Sequence, residues 1–229
     1  MNKIFPSAQA AVADIPDGAT IMVGGFGVTG VPFTLIKALA RQGAKNLTII
    51  ANSPGGRLPD IDLTLLVQNG QAKKAISTYP VYAGRSSVFE EKYIKGEVEL
   101  EMVPQGTFAE RIRAGGAGIP AFYTPTGIGT TLVGGKQKKI IDGRKYVLEF
   151  ALKADFALIK AHRADKSGNL IYHRAARNFN PNMATAAEIT IAEVDEIVAT
   201  GELDPEAIIT PAIYVQRIVK GDRHEIRFD

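Results

Sequence analysis

Four glycines fall within seven residues, at Gly24, Gly25, Gly27 and Gly30. They follow an apolar run, residues 21–23, that reads as a buried strand. They precede a helical pattern, residues 31–42, in which Val31, Leu35 and Leu39 share one face. A strand, a glycine loop and a helix N-terminus in that order can offer unpaired backbone N–H groups to an anion. Glycine also permits positive φ and lets a ligand come close to the main chain. The loop of Gly24, Gly25, Phe26, Gly27, Val28, Thr29 and Gly30 is therefore the leading candidate site, suited to a phosphate or a thioester. A tight structural turn without a ligand would show the same pattern. Gly25 to Gly30 spells G-x-G-x-x-G, but a dinucleotide site also needs an acid about 20 residues on, at the end of the next strand. That strand, residues 46–51, runs instead into Asn52-Ser-Pro-Gly-Gly56.

Other reactive patterns are missing. There is no cysteine, which removes disulfides, thiolate nucleophiles and cysteine metal sites. No G-x-S-x-G elbow occurs. Gly134-Gly-Lys136 is followed by Gln137, where a phosphate loop needs Ser or Thr. His162, His173 and His224 are widely spaced and read as surface or strand residues, so no metal site is expected. The carboxylates sit on charged helix faces or in turns. The pattern is that of a ligand-binding fold without a nucleophile of its own.

The elements that would position the loop alternate. Helices are expected at 7–13, 31–42, 61–69, 86–95 and 108–114, and strands at 21–23, 46–51, 72–78 and 98–103. Such alternation with short connections gives an α/β fold, a mostly parallel sheet with helices on both faces. Ligands of such sheets lie at the carboxyl ends of the strands. The glycine loop, the Asn52 loop and the Gln105 turn all lie there. Residues 115–135, rich in Gly and Thr, read as irregular. A β-hairpin follows around Gly143, at 138–142 and 145–150. Strands are expected at 154–161, 170–173 and 189–194, and a short helix at 182–187. The 229 residues read as a single domain, 1–229. A net charge of +3 without a basic run interleaved with aromatics gives no reason to expect nucleic acid. Residues 19–36 are uncharged, yet their glycines, proline and threonines argue against a membrane span. A cytoplasmic protein is expected.

Longer motifs carry a resemblance. Gly24-Gly-Phe-Gly-Val-Thr-Gly-Val-Pro32 is similar to the glycine motif of family I CoA-transferases, in their A (alpha) subunits. Val103-Pro-Gln-Gly-Thr107, Tyr123-Thr-Pro-Thr-Gly127, Ala176-Arg-Asn-Phe-Asn-Pro181 and Gly201-Glu-Leu-Asp-Pro205 extend the likeness in order along the chain. The resemblance implies movement of CoA between carboxylic acids through an acyl-glutamyl anhydride and a glutamyl-CoA thioester. In that family the glutamate stands in a Glu-x-Gly context of the B (beta) subunit. No glycine here has a glutamate two positions before it. The resemblance thus implies a partner B subunit, in a heterodimer or heterotetramer, with coenzyme A as substrate and no permanently bound cofactor.

It also implies roles. The loop from Gly24 to Gly30 would lie against CoA. Where the family often has Ser-Asn-Asn-Ala-Gly, this chain has Ala51-Asn-Ser-Pro-Gly55 and keeps Asn52 to orient the acyl carbonyl or the partner's glutamate. Gln105 and Gly106 would line the pocket. Residues 76–89 look more like 3-oxoadipate transferases than acetoacetate transferases, and Arg85 could clamp a second carboxylate. The alternatives are a non-catalytic nucleotide-binding module, or a component of a CoA-linked hydrolase or lyase on the same fold.

Overall fold

The computed structural model describes residues 2–55, 58, 60–81 and 86–222. The first half alternates β and α. In order come α1 (Ala8–Val12), β1 (Thr20–Val23), α2 (Phe33–Gln42), β2 (Leu47–Ala51), α3 (Thr64–Gln68), β3 (Ala72–Ser77), α4 (Val88–Ile94), β4 (Glu99–Met102) and α5 (Gln105–Gly116). Local chemistry sets several ends. The Ser7 and Ser87 hydroxyls accept from Ala10 N–H (3.1 Å) and Glu90 N–H (3.2 Å), the usual way to satisfy a first-turn donor. Gly43 closes α2 at φ 89°, a left-handed cap that suits glycine.

The second half holds β5 (Ala121–Thr124), β6 (Lys138–Ile141), β7 (Arg144–Phe150), β8 (Ala154–Asp165), β9 (Leu170–Ile171), α6 (Asn180–Thr185), β10 (Ala187–Val198) and β11 (Arg217–Lys220). The main sheet runs β11-β10-β8-β1-β2-β3-β4, all parallel, with β9 antiparallel beside β8. A separate antiparallel sheet, β5-β7-β6, contains the expected hairpin. The chain steps outward from β1 to β4, then returns to β8 on the other side of β1. The direction of winding reverses between β1 and β8.

The two-residue period of a strand divides the core. Ile21, Val23, Ile49 and Leu158 face α1 to α4, with Leu35, Leu39, Leu66 and Phe89. Met22, Ile50, Ala157 and Ile159 face α5 and α6, with Phe108, Ile112 and Met183. Burying each large aliphatic side chain contributes about 1.5–3 kcal/mol. Helices therefore cover both faces, as the alternation implies.

Several elements differ from expectation. Residues 115–135 contain β5, which pairs with β7 at Tyr123 and Leu148. The helix expected at 182–187 begins at Asn180, and the strand expected at 170–173 keeps only two residues. β11 lies where the sequence pattern shows no strand. β8 and β10 each have 12 residues, longer than the patterns suggest. They pair from Ala154↔Ala187 to Asp165↔Val198, whereas β1 stops opposite Leu158. Charged residues beyond that point break the apolar signal, and they form ion pairs across the two strands: Lys160 with Asp195 (2.7 Å) and Arg163 with Glu196 (2.7 Å). Lys136, in a basic cluster, pairs with the buried Glu149 at 2.6 Å.

Candidate functional site

A cleft opens at the carboxyl ends of β1 to β4. It encloses about 810 Å³, open mouth included, and is lined by Phe26, Gly27, Asn52, Ser53, Thr78, Tyr79 and Gln105. Four separate connections supply these residues, one after each strand. The cleft thus lies where parallel strands commonly present ligand sites.

Asn52 is its polar centre. It is 5 % exposed. Its backbone carbonyl accepts from the Ser77 hydroxyl (2.9 Å), the Thr78 hydroxyl (3.1 Å) and Tyr79 N–H (3.0 Å), which ties the end of β2 to the end of β3. Its side-chain Oδ1 accepts from Gln105 Nε2 (2.7 Å) and the Thr78 hydroxyl (2.8 Å). With Oδ1 occupied, Nδ2 remains as the donor available to a ligand. A fixed amide donor at a carbonyl oxygen is the arrangement that stabilises a developing oxyanion. Gln105, the first residue of α5, is set by Asn52 in return. Gly106 follows in the first turn of α5, exposed, with open space about it. Arg85 lies outside the described residues.

The glycine loop forms one wall of the cleft, and its glycines do different work. Phe26 and Thr29 exchange backbone bonds of 3.0 Å each way, which closes a two-residue hairpin over Gly27 and Val28. Gly27, at φ 61°, supplies the positive angle that such a turn needs first. Nothing lies within 4 Å of a Cβ built on it. Gly24 and Gly30 are instead packed from within. A Cβ on Gly24 would overlap Asn180 Oδ1, and one on Gly30 would overlap the Ala176 carbonyl. The close approach that these two glycines permit is to the protein's own segment 176–180. Phe26 and Gly27 reach the cleft, whereas Gly24 and Gly25 line a narrower recess behind it with Asp62 and Leu63. Val28 and Thr29 complete the hairpin.

The expected anion site at the helix N-terminus is filled by a protein carboxylate. Glu193 Oε2 accepts from Thr34 N–H (2.9 Å) and Leu35 N–H (3.1 Å) in the first turn of α2. Glu193 is 1 % exposed. Burial pushes its pKa above the usual carboxylate range, and Lys160, at 3.3 Å, and the two N–H groups oppose that shift. A negative group at this end is favoured by the helix dipole, so the favourable position is already taken. The crevice between β1 and β8, where the winding reverses, is likewise occupied, by Asn178 and Asn180, which bond to Gly25, Gly30 and Lys160. Sequence reasoning missed Glu193 as a cap, and it assigned the Asn-Phe-Asn segment no role. Glu193 looks like a lone charge in an apolar strand, and its partners lie 158 and 159 positions away.

His162 and His173, read from the sequence as widely spaced surface or strand residues, lie with ring centroids 5.4 Å apart, and His162 Nδ1 is 3.0 Å from Asp195. Among the described residues no cluster of three His, Asp or Glu could hold a metal ion, and no helix is long and apolar enough to cross a membrane.

The model of the coenzyme A transferase family matches residues 5–221. The chain is 54 % identical to the A subunit of the 3-oxoadipate CoA-transferase of Pseudomonas putida, over 96 % of this chain and 94 % of that protein. It is 50 % identical to the A subunit of the probable succinyl-CoA:3-ketoacid coenzyme A transferase of Bacillus subtilis, over 100 % and 94 %. Its fold is similar to that of an acyl-CoA transferase of Escherichia coli O157:H7 solved as a thioester complex with CoA. There the TM-score is 0.84 at 26 % identity, covering 96 % of this chain and 47 % of that one.

Proposed function

Because the chain belongs to the coenzyme A transferase family, we propose that it is the A subunit of a 3-oxoacid CoA-transferase. The complex moves CoA from an acyl-CoA such as succinyl-CoA to a 3-oxo acid. One observation carries the reading. The cleft sets a buried amide, Asn52, held by the exposed Gln105 amide, at a place where a carbonyl oxygen can be held, yet none of its described lining residues bears a carboxylate. A B subunit closes this mouth and brings the glutamate. The whole chain acts as one domain in that assembly, in the cytoplasm, with CoA present only as substrate.

The steps balance without water. The partner's glutamate carboxylate attacks the thioester carbonyl, the C–S bond breaks, and CoA leaves as thiolate from an acyl-glutamyl anhydride. The thiolate attacks the glutamyl carbonyl and releases the donor acid as carboxylate, which leaves a glutamyl-CoA thioester. The acceptor carboxylate then repeats the two steps in reverse order. Each attack places negative charge on a carbonyl oxygen, and Asn52 Nδ2 is the donor this chain offers to it. Gln105 and Thr78 hold the amide in that orientation.

The test is a transfer assay with succinyl-CoA and either acetoacetate or 3-oxoadipate. It is run on the chain alone and on the chain co-purified with a candidate B subunit. Activity only in the complex is expected, and the better acceptor identifies the substrate. Transfer by the isolated chain would overturn the assignment.

A further inference from the structure

Asn178 and Asn180 stand outside the cleft, yet they hold both ends of the loop that forms its wall. Asn178 Oδ1 accepts from Gly25 N–H (3.2 Å), and its Nδ2 donates to the Thr29 carbonyl (3.0 Å). Asn180 Nδ2 donates to the Gly30 carbonyl (3.0 Å), and its Oδ1 accepts from Lys160 N–H (3.0 Å). Each amide uses its donor and acceptor ends together, which neither a carboxylate nor an aliphatic side chain of that size can do. Asn180 is fully buried. Asn178 is held at φ 21° and ψ −120°. An unfavourable backbone of this kind persists only where the surroundings over-determine it, and it is characteristic of functional segments.

The tip of the loop has no such support. Phe26 is 51 % exposed and Gly27 has open space around it. Gly25 (φ 119°) and Gly30 (φ 69°) flank the hairpin. Glycine resists rotation least, so the two ends would act as pivots if the amides released them. Lys160 joins this clamp to the helix behind it: its N–H binds Asn180 and its Nζ binds Glu193.

We propose that Asn178 and Asn180 are positioning residues for acyl transfer. They fix Phe26 and Gly27 against the cleft of Asn52 and Gln105 by acting through the loop, without touching substrate. The proposal rests on reading that cleft as the site of CoA transfer. A wall displaced by about 1 Å is enough to lower a rate by roughly 10²-fold.

Asn178→Gly tests it. Glycine accepts the backbone angle of this position, so the variant removes the amide without adding strain. Two readouts are taken on the complex with the B subunit: amide hydrogen exchange along residues 24–31, and transfer kinetics. Exchange at Gly25 N–H should quicken roughly fivefold or more, with β1 and α2 as protected as before. The kcat should fall roughly tenfold or more, with KM for the acyl-CoA within about twofold. Asn178→Asp keeps the acceptor for Gly25 but loses the donor to Thr29. It should keep Gly25 exchange slow and recover part of kcat. Unchanged loop exchange in Asn178→Gly, or faster exchange with unchanged kcat, would overturn the proposal. So would uniform deprotection with a lower Tm and unaltered kcat per active site, since that marks a purely structural role. A wild-type complex with no transfer activity would overturn the reading of the cleft and the kinetic half of the proposal. The exchange rates would still decide the clamp.

Discussion

The side-chain oxygen of Asn52 is reached by two donors, and its Nδ2 is left to present to a ligand. That asymmetry predicts unequal effects of substitution around it. Asn52→Ala removes the amide offered to the carbonyl oxygen and should lower kcat/KM by about 10²-fold. Gln105→Ala leaves the amide in place and removes one of the two groups that orient it, so its cost should be nearer tenfold. Because both substitutions act on one dipole, the double variant should be little worse than Asn52→Ala. A double-mutant cycle on the active complex measures this, and strict additivity would mean that Gln105 contacts substrate independently. Glu193 gives a prediction of another kind. Glu193→Ala leaves two N–H groups of α2 without their buried acceptor, while Lys160 keeps Asp195, so the change should cost about 2–3 kcal/mol in urea unfolding. Asn52 and Gln105 are legible in the sequence because each closely follows the end of an expected strand, where ligand groups collect. Glu193 is not legible, since a cap formed across 158 positions leaves no local trace.

At the level of elements, the glycine loop is visible from spacing alone, but its meaning is not. The spacing shows that the chain must turn sharply; it does not show what comes close to each glycine. Gly24→Ala drives a Cβ into Asn180 and should cost about 3 kcal/mol, through overpacking and lost hydrogen bonds. Gly27→Ala meets no neighbour and should cost only about 1–2 kcal/mol, for the left-handed backbone. Chemical denaturation of the two variants distinguishes them, and a reversed order would refute the internal clamp. The edge strand β4 predicts a pH effect. Glu101 accepts from Arg111 on α5 (2.7 Å) and Lys74 on β3 (3.1 Å). Burial pushes its pKa up, but those cations prevail and hold it below the usual value near 4.5. Its stabilisation is present above pH 4.5 and is lost as pH falls through the lowered value. Wild type should therefore exceed Glu101→Gln in Tm at neutral pH, and the gap should close below pH 4.5. A gap independent of pH would show that the pairing with Arg111 and Lys74 contributes nothing. The lengths of β8 and β10 are unreadable for a related reason. Their outer halves are held by ion pairs between neighbouring strands, which an apolar period does not register.

Across the whole molecule, the two halves of the main sheet are used differently. The β1/β8 crevice, the obvious ligand position for a winding that reverses, is packed solid by the asparagine segment. Ligand space moves to the β1–β4 flank. Two of the side chains that line that mouth are exposed aromatics, Phe26 at 51 % and Tyr79 at 47 %. A cleft with no carboxylate among its described lining residues and with exposed aromatic side chains at its mouth is what a protein completed by a partner would present. Aromatic anchors at the centre of an interface dominate its binding energy, typically by about 2 kcal/mol or more, which is roughly 30-fold in affinity. Phe26→Glu should weaken co-assembly with the B subunit to that degree. The side chain is exposed, so the isolated chain should unfold within about 0.5 kcal/mol of wild type. Ile94→Glu is the control. Ile94 is 77 % exposed at the end of α4, where the chain leads to the amino end of β4 and away from the carboxyl ends that form the cleft, and the substitution should leave assembly intact. Sedimentation of the mixed proteins reads out both. Equal assembly by the rim variant and the control would mean that the partner sits elsewhere and that the cleft is closed by some other surface.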